Sequence, residues 1–133
     1  MIYFYLLIFL LGFNNLSALA LNQKSLSIKS RAILQKKCAD CHSAGTPLPL
    51  YAKLPFVQDL IKKDIEEGLV EFDMKRDLYN IPDKNLDEGV LLKLLTSTTD
   101  KTMPPIQYSI IHWDKVLTKE ERKILLDWLN SFE

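Results

Sequence analysis

The chain has 133 residues, and its 17 basic and 17 acidic groups leave a formal net charge of zero. That length predicts one domain. The charge balance excludes the strongly basic character of a nucleic-acid-binding domain, and there is no internal repeat or low-complexity segment.

Met1 to Ala20 contains no charged residue, Ile2 to Phe13 is a near-continuous apolar run, and Ala18-Leu19-Ala20 supplies a small-x-small cleavage pattern. The segment reads as a secretory leader, residues 1–20, cut after Ala20 to leave a domain of 21–133. With no Lys or Arg ahead of the apolar run, the amino terminus itself must supply the positive charge. The run is short for a membrane span, and Asn14, Asn15 and Ser17 dilute it. A periplasmic location is expected, with membrane anchoring only if the leader stays uncut. Beyond it the charge is uneven: residues 21–58 carry six basic groups against one acidic, and residues 59–100 carry eleven acidic against six basic. The basic region can steer an acidic partner.

The first helix is predicted from about Ser27 into Cys41, with Ile28, Ile33 and Leu34 among its apolar positions, ended by Gly45 and Pro47. A loop with Pro47 and Pro49 follows. A second helix runs from near Pro55 to near Gly68, with Phe56, Val57, Leu60, Ile61 and Ile65 as its buried stripe. A third spans about Asn85 to Thr96, turning Leu86, Val90, Leu91, Leu94 and Leu95 inward. The last opens at Thr118, where Thr118 and Glu121 form a capping box, and presents Ile124, Leu125, Trp128, Leu129 and Phe132. Trp113 and Trp128 are expected in the core or against a cofactor. No segment alternates as a strand does, so the fold class is all-α, a bundle of about four helices.

At the end of the first helix stands Cys38-Ala39-Asp40-Cys41-His42, a C-x-x-C-H run holding both cysteines of the chain. Positions three and four apart share a helix face. Cys38, Cys41 and His42 can therefore face one flat macrocycle, two thiols forming thioethers and the imidazole meeting an iron. This is the pattern of haem c attachment, and it predicts one covalently bound haem with His42 as an iron ligand. A thioredoxin-like dithiol lacks a βαβ setting. A zinc site needs four ligands, and Cys38, Cys41, His42 and His112 are all the Cys and His there are, with Cys41 and His42 adjacent. A structural disulfide is the remaining alternative. For the sixth iron position the candidate is Met103, in the Pro-terminated loop Thr102-Met103-Pro104-Pro105, where proline limits backbone freedom. Met74 lies in a charged stretch without such a clamp. His112 is the rival ligand, or else a structural residue that holds the Met103 loop.

The chain resembles the small haem-binding domain family of bacterial exported proteins, related to class I c-type cytochromes, from about Ala32 to Asn130. The matching residues are the Cys38 to Ser43 start, the Thr46 to Pro55 loop with Tyr51, and Asp64 to Gly68. Met103-Pro104 with Tyr108 and His112, Leu117-Thr118 with Glu120 to Arg122, and Ile124 to Trp128 complete them. It departs where Leu48 and Leu50 replace the family's Trp residues and where Leu69 replaces an Arg able to pair with a haem propionate. The resemblance implies a monohaem domain, cytochrome c-like in fold, with His42 proximal.

The expected function is that of a periplasmic monohaem c-type cytochrome passing single electrons between redox partner proteins, monomeric and not itself an enzyme. No second metal cluster or nucleophilic set supplies a substrate site. The alternative is a haem-based sensor or ligand-binding module, or a small peroxidase-like enzyme, with an open sixth iron position.

Overall fold

A computed structural model describes residues 2–132, with side chains from Leu21 onward. The side chains of the expected leader, 1–20, lie outside the described residues. Six α-helices follow in order: α1 Ile2–His42, α2 Val57–Glu71, α3 Met74–Asp77, α4 Glu88–Asp100, α5 Ile106–Ile111 and α6 Lys119–Leu129. Short 3-10 turns lie at Leu50–Lys53, Asp83–Asn85, Trp113–Lys115 and Asn130–Phe132. Among the described residues there is no strand, and none of the helices is long and apolar enough to cross a membrane. The protein is an all-α, cytochrome-like helical bundle; α3 and α5 are too short to carry a periodic signal.

α1 is the spine, packing along α6 and α2, and α4 closes on α6. From Leu21 to Ala44 it meets neither Gly nor Pro. It stops where Gly45 takes φ +77° and the Thr46 hydroxyl donates to the carbonyls of Ala39 (3.1 Å) and Ser43 (2.9 Å). The inward stripe of α1 is Ser27, Ser30, Leu34 and Lys37, spaced 3-4-3. Three of the four are polar, so hydrophobic periodicity overlooks them, and Ile28 points to solvent instead. Each polar member has a partner: Ser27 donates to Asp83 at 2.9 Å, Ser30 to the Ile124 carbonyl at 3.4 Å, and Lys37 to the Asp114 carbonyl at 2.6 Å.

The core gathers Leu34, Phe72, Met74, Leu78, Leu86, Leu94, Leu125, Trp128 and Leu129. Met74 is wholly buried there, so packing accounts for it. Trp128 is also wholly buried, but Trp113 is 78% exposed, contrary to expectation. In the turn that it opens, His112 and Lys115 face inward, which sends the indole outward. On α2 the expected stripe holds only in part. Val57, Ile61 and Ile65 are half-buried, whereas Phe56 and Leu60 face solvent. α2 runs on to Glu71, and Phe72, extended and buried, ends it. α4 opens later than expected, because Asp87 caps it by accepting from the Val90 amide at 3.1 Å. At α6 the capping box forms: Thr118 accepts from the Glu121 amide (3.1 Å) while Glu121 accepts from the Thr118 amide (2.9 Å).

Candidate cofactor site

The last turns of α1 carry Cys38, Cys41 and His42 to the wall of a cavity of about 520 Å³, and Met103 lines the same cavity from the α4–α5 loop. A second hollow of similar size opens beside Cys41, His42 and Met103 toward α2. This volume lies within the roughly 300–1,000 Å³ range of cofactor sites. His112 lines neither hollow. It belongs to a smaller cavity of about 220 Å³, hydrogen-bonded to Tyr51 and stacked on Tyr108 with ring centroids 4.3 Å apart. Thus four of the five candidate residues are brought together and the fifth is held apart.

His42 is oriented from behind. Its Nδ1 lies 3.0 Å from the Phe72 carbonyl, which can only accept, so Nδ1 carries the proton. In the neutral ring the lone pair is then on Nε2, the form suited to bind a metal. Phe72 is available because α2 ends there, and Gly68 lets α2 come close enough. A Cβ on Gly68 would lie 3.1 Å from the Cys41 carbonyl oxygen and 3.4 Å from His42 Cε1. Sequence alone marks Gly68 as a helix end; the structure gives it a contact role inside the helix.

The cysteines are not joined to each other. Burial, with Cys41 and Asp40 adding to it, pushes the Cys38 thiol up to about 12. Burial, then Asp40 and Asp64, raises Cys41 as well. A redox-active dithiol needs a lowered pKa, so this pair is unlike the thioredoxin type. Among the described residues, no group of three or more His, Cys, Asp or Glu side chains is arranged to hold a metal ion. The donor set instead suits a haem: two thiols and an imidazole on one helix end, a thioether lining the same cavity, and a pocket lined in large part by apolar and aliphatic carbon.

Basic groups at the cavity are already committed. Lys37 pairs with Glu121 at 3.3 Å and Lys93 with Glu71 at 2.9 Å. Leu69, where the resemblance leads one to look for an Arg, is half-buried on α2.

A family model described as a haem-binding domain matches residues 13–131. The chain belongs to this haem-binding domain family. Among curated proteins, the cytochrome c peroxidase Ccp of Escherichia coli (strain K12) is 30% identical over 114 residues, covering 85% of this chain. The match takes in 24% of that relative, so the chain spans about a quarter of its length. No solved structure matches the chain. Membership makes haem binding the property of the domain, and the cavity that gathers Cys38, Cys41, His42 and Met103 is the candidate site for it.

Proposed function

We propose that this haem-binding domain is an exported monohaem c-type cytochrome that passes single electrons, its haem joined by thioethers to Cys38 and Cys41 and its iron held between His42 and Met103. The observation that carries this reading is the convergence of those four side chains on one cavity while His112 is tied to Tyr51 outside it. Bound haem supplies a one-electron couple. The chain's own residues set its conditions. The Phe72 carbonyl fixes the ring and tautomer of His42. A thioether ligand from Met103 favours the reduced state and raises the potential. The chain is not itself an enzyme, and its partners are redox proteins that meet the cavity mouth. Export by the 1–20 leader accounts for attachment outside the cytoplasm, in the periplasm, and an uncut leader would hold the domain at the membrane.

A second reading is a peroxidase-like or ligand-sensing domain with an open sixth position. Two observations favour it: Met103 is 41% exposed in a loop, and the curated relative is a cytochrome c peroxidase. The visible spectrum of the purified haem protein, oxidised and reduced, with and without CO, separates them. A weak far-red ferric band and no CO shift support His42/Met103 ligation and electron transfer. A high-spin ferric spectrum with a clear CO shift overturns that ligation and favours the open site.

A further inference from the structure

α5 follows directly on the Met103 loop, and its isoleucines do not hold it. None of its residues is buried, and Ile106, Ile110 and Ile111 all face solvent. Burial of an apolar face is what ordinarily positions a helix in a protein, so α5 must be held in another way. The contacts are polar. Tyr108 donates to Asp40 Oδ2 at 2.5 Å, and Lys115 reaches the same oxygen at 2.8 Å. The Tyr108 ring stacks on His112, tilted by 21°, and His112 Nε2 is hydrogen-bonded to Tyr51 Oη on the Leu50–Lys53 turn. Between Met103 and Tyr108 the chain is stiff: Pro104 and Pro105 intervene, and Ser109 returns its amide (3.0 Å) and its hydroxyl (2.9 Å) to the Pro105 carbonyl. Fixing Tyr108 therefore fixes Met103. Asp40, the anchor, lies between the two cysteines and two residues from His42.

We propose that Asp40, Tyr108, His112 and Tyr51 form a polar clamp that positions Met103 at the cofactor cavity, tying the loop that carries one candidate iron ligand to the helix turn that carries the other. These are positioning residues, since they act through Met103. The inference rests on the reading of Met103 as a ligand, but the tie itself can be tested separately. Charge-assisted hydrogen bonds such as Tyr108–Asp40 are the stronger kind, and losing one costs far more than an exposed contact does.

The test uses the haem-loaded full chain and the variants Tyr108→Phe, which keeps the ring and its stack but removes the hydroxyl, and Asp40→Asn. The readouts are the far-red ferric band, the midpoint potential, CO binding when reduced, and amide hydrogen exchange over residues 102–112. In Tyr108→Phe the band should be lost or much weakened and the potential should move toward that of Met103→Ala. CO binding should appear, and exchange over residues 102–112 should accelerate roughly tenfold. Asp40→Asn should move the same readouts in the same direction, and His112→Gln serves if either variant fails to fold. Unchanged band, potential and CO behaviour in a folded variant overturn the clamp. If the wild type itself lacks the far-red band, the ligand reading fails first. The exchange data then decide the tie: acceleration confined to 102–112 supports it, and unchanged exchange overturns it.

Discussion

Gly68 places a backbone where a side chain would not fit. Its missing methyl lets α2 rest on the Cys41 carbonyl, so that α2 ends with the Phe72 carbonyl against His42. Ala in place of Gly favours a helix by roughly 1 kcal/mol, but overpacking a tight contact costs about 1–3 kcal/mol. The contact is with main chain in a packed helix, which yields little, so the second effect wins. Gly68→Ala should lower the melting temperature and perturb the haem spectrum; an unchanged or raised melting temperature would mean that α1 and α2 separate freely. Met103→Ala should abolish the far-red ferric band and lower the midpoint potential, whereas Met74→Ala should cost about 2–5 kcal/mol of stability and leave the band in place. Urea titration and ferric spectra distinguish the two methionines. That Cys38, Cys41, His42 and Met103 gather at one cavity agrees with what residue type and spacing led one to expect. The Phe72 carbonyl was not legible in the sequence, because a backbone oxygen leaves no signature at its own position.

Among the elements, α6 was the most legible, because a capping box and an apolar stripe both lie within one short segment. Thr118→Ala should cost about 0.5–2 kcal/mol, read from the urea midpoint. Glu121 does more than cap: it also pairs with Lys37, whose side chain is almost wholly buried. Removing the charge in Glu121→Gln leaves a buried ammonium short of its partner, so this variant should lose more stability than Thr118→Ala does. The reverse order would show that Lys37 is satisfied by the Asp114 and Val116 carbonyls alone. α1 was only half legible. Its inward stripe is built on Ser27, Ser30 and Lys37, and periodicity counts apolar residues alone. α2 misled in the opposite way, since an apolar stripe gives a direction and says nothing of what covers it; Phe56 and Leu60 have no cover among the described residues.

For the whole molecule, one polar hub ties together segments that also meet in the apolar core. Arg31 on α1 donates to the carbonyls of Leu78 (2.6 Å) and Ile81 (2.8 Å) and pairs with Asp83 at 2.5 Å. Asp83 also accepts from Ser27 (2.9 Å) and from the Trp128 indole (3.4 Å). Burial pulls the Asp83 carboxyl upward, but the hydrogen bonds from Arg31, Ser27 and Trp128 outweigh it and hold the group below the ordinary carboxylate range. Its pKa is lower folded than unfolded, so its contribution is full at neutral pH and fades as pH falls through the ordinary carboxylate range and below. Asp83→Asn should therefore cost on the order of 1–2 kcal/mol at pH 7 and flatten the acid side of a melting-temperature profile between neutral pH and pH 3. An unaltered acid limb would mean that other carboxylates dominate. The all-α class was legible from the absence of alternation, but this hub was not, because its members are scattered from Ser27 to Trp128 and meet only through the tertiary fold.

The contrast between the two tryptophans makes the protein its own optical gauge. Trp128 is sealed in the core beside Phe132, and Trp113 stands in water on the turn that follows α5. A charged quencher such as iodide can reach only Trp113 while the fold is intact, and it reaches both once the core opens. Docking of another protein over the α5 side would shield Trp113 and leave Trp128 silent. In the haem-free chain, where no haem absorbs the emission, one experiment can thus separate an event at the surface from an event in the interior without attaching any label.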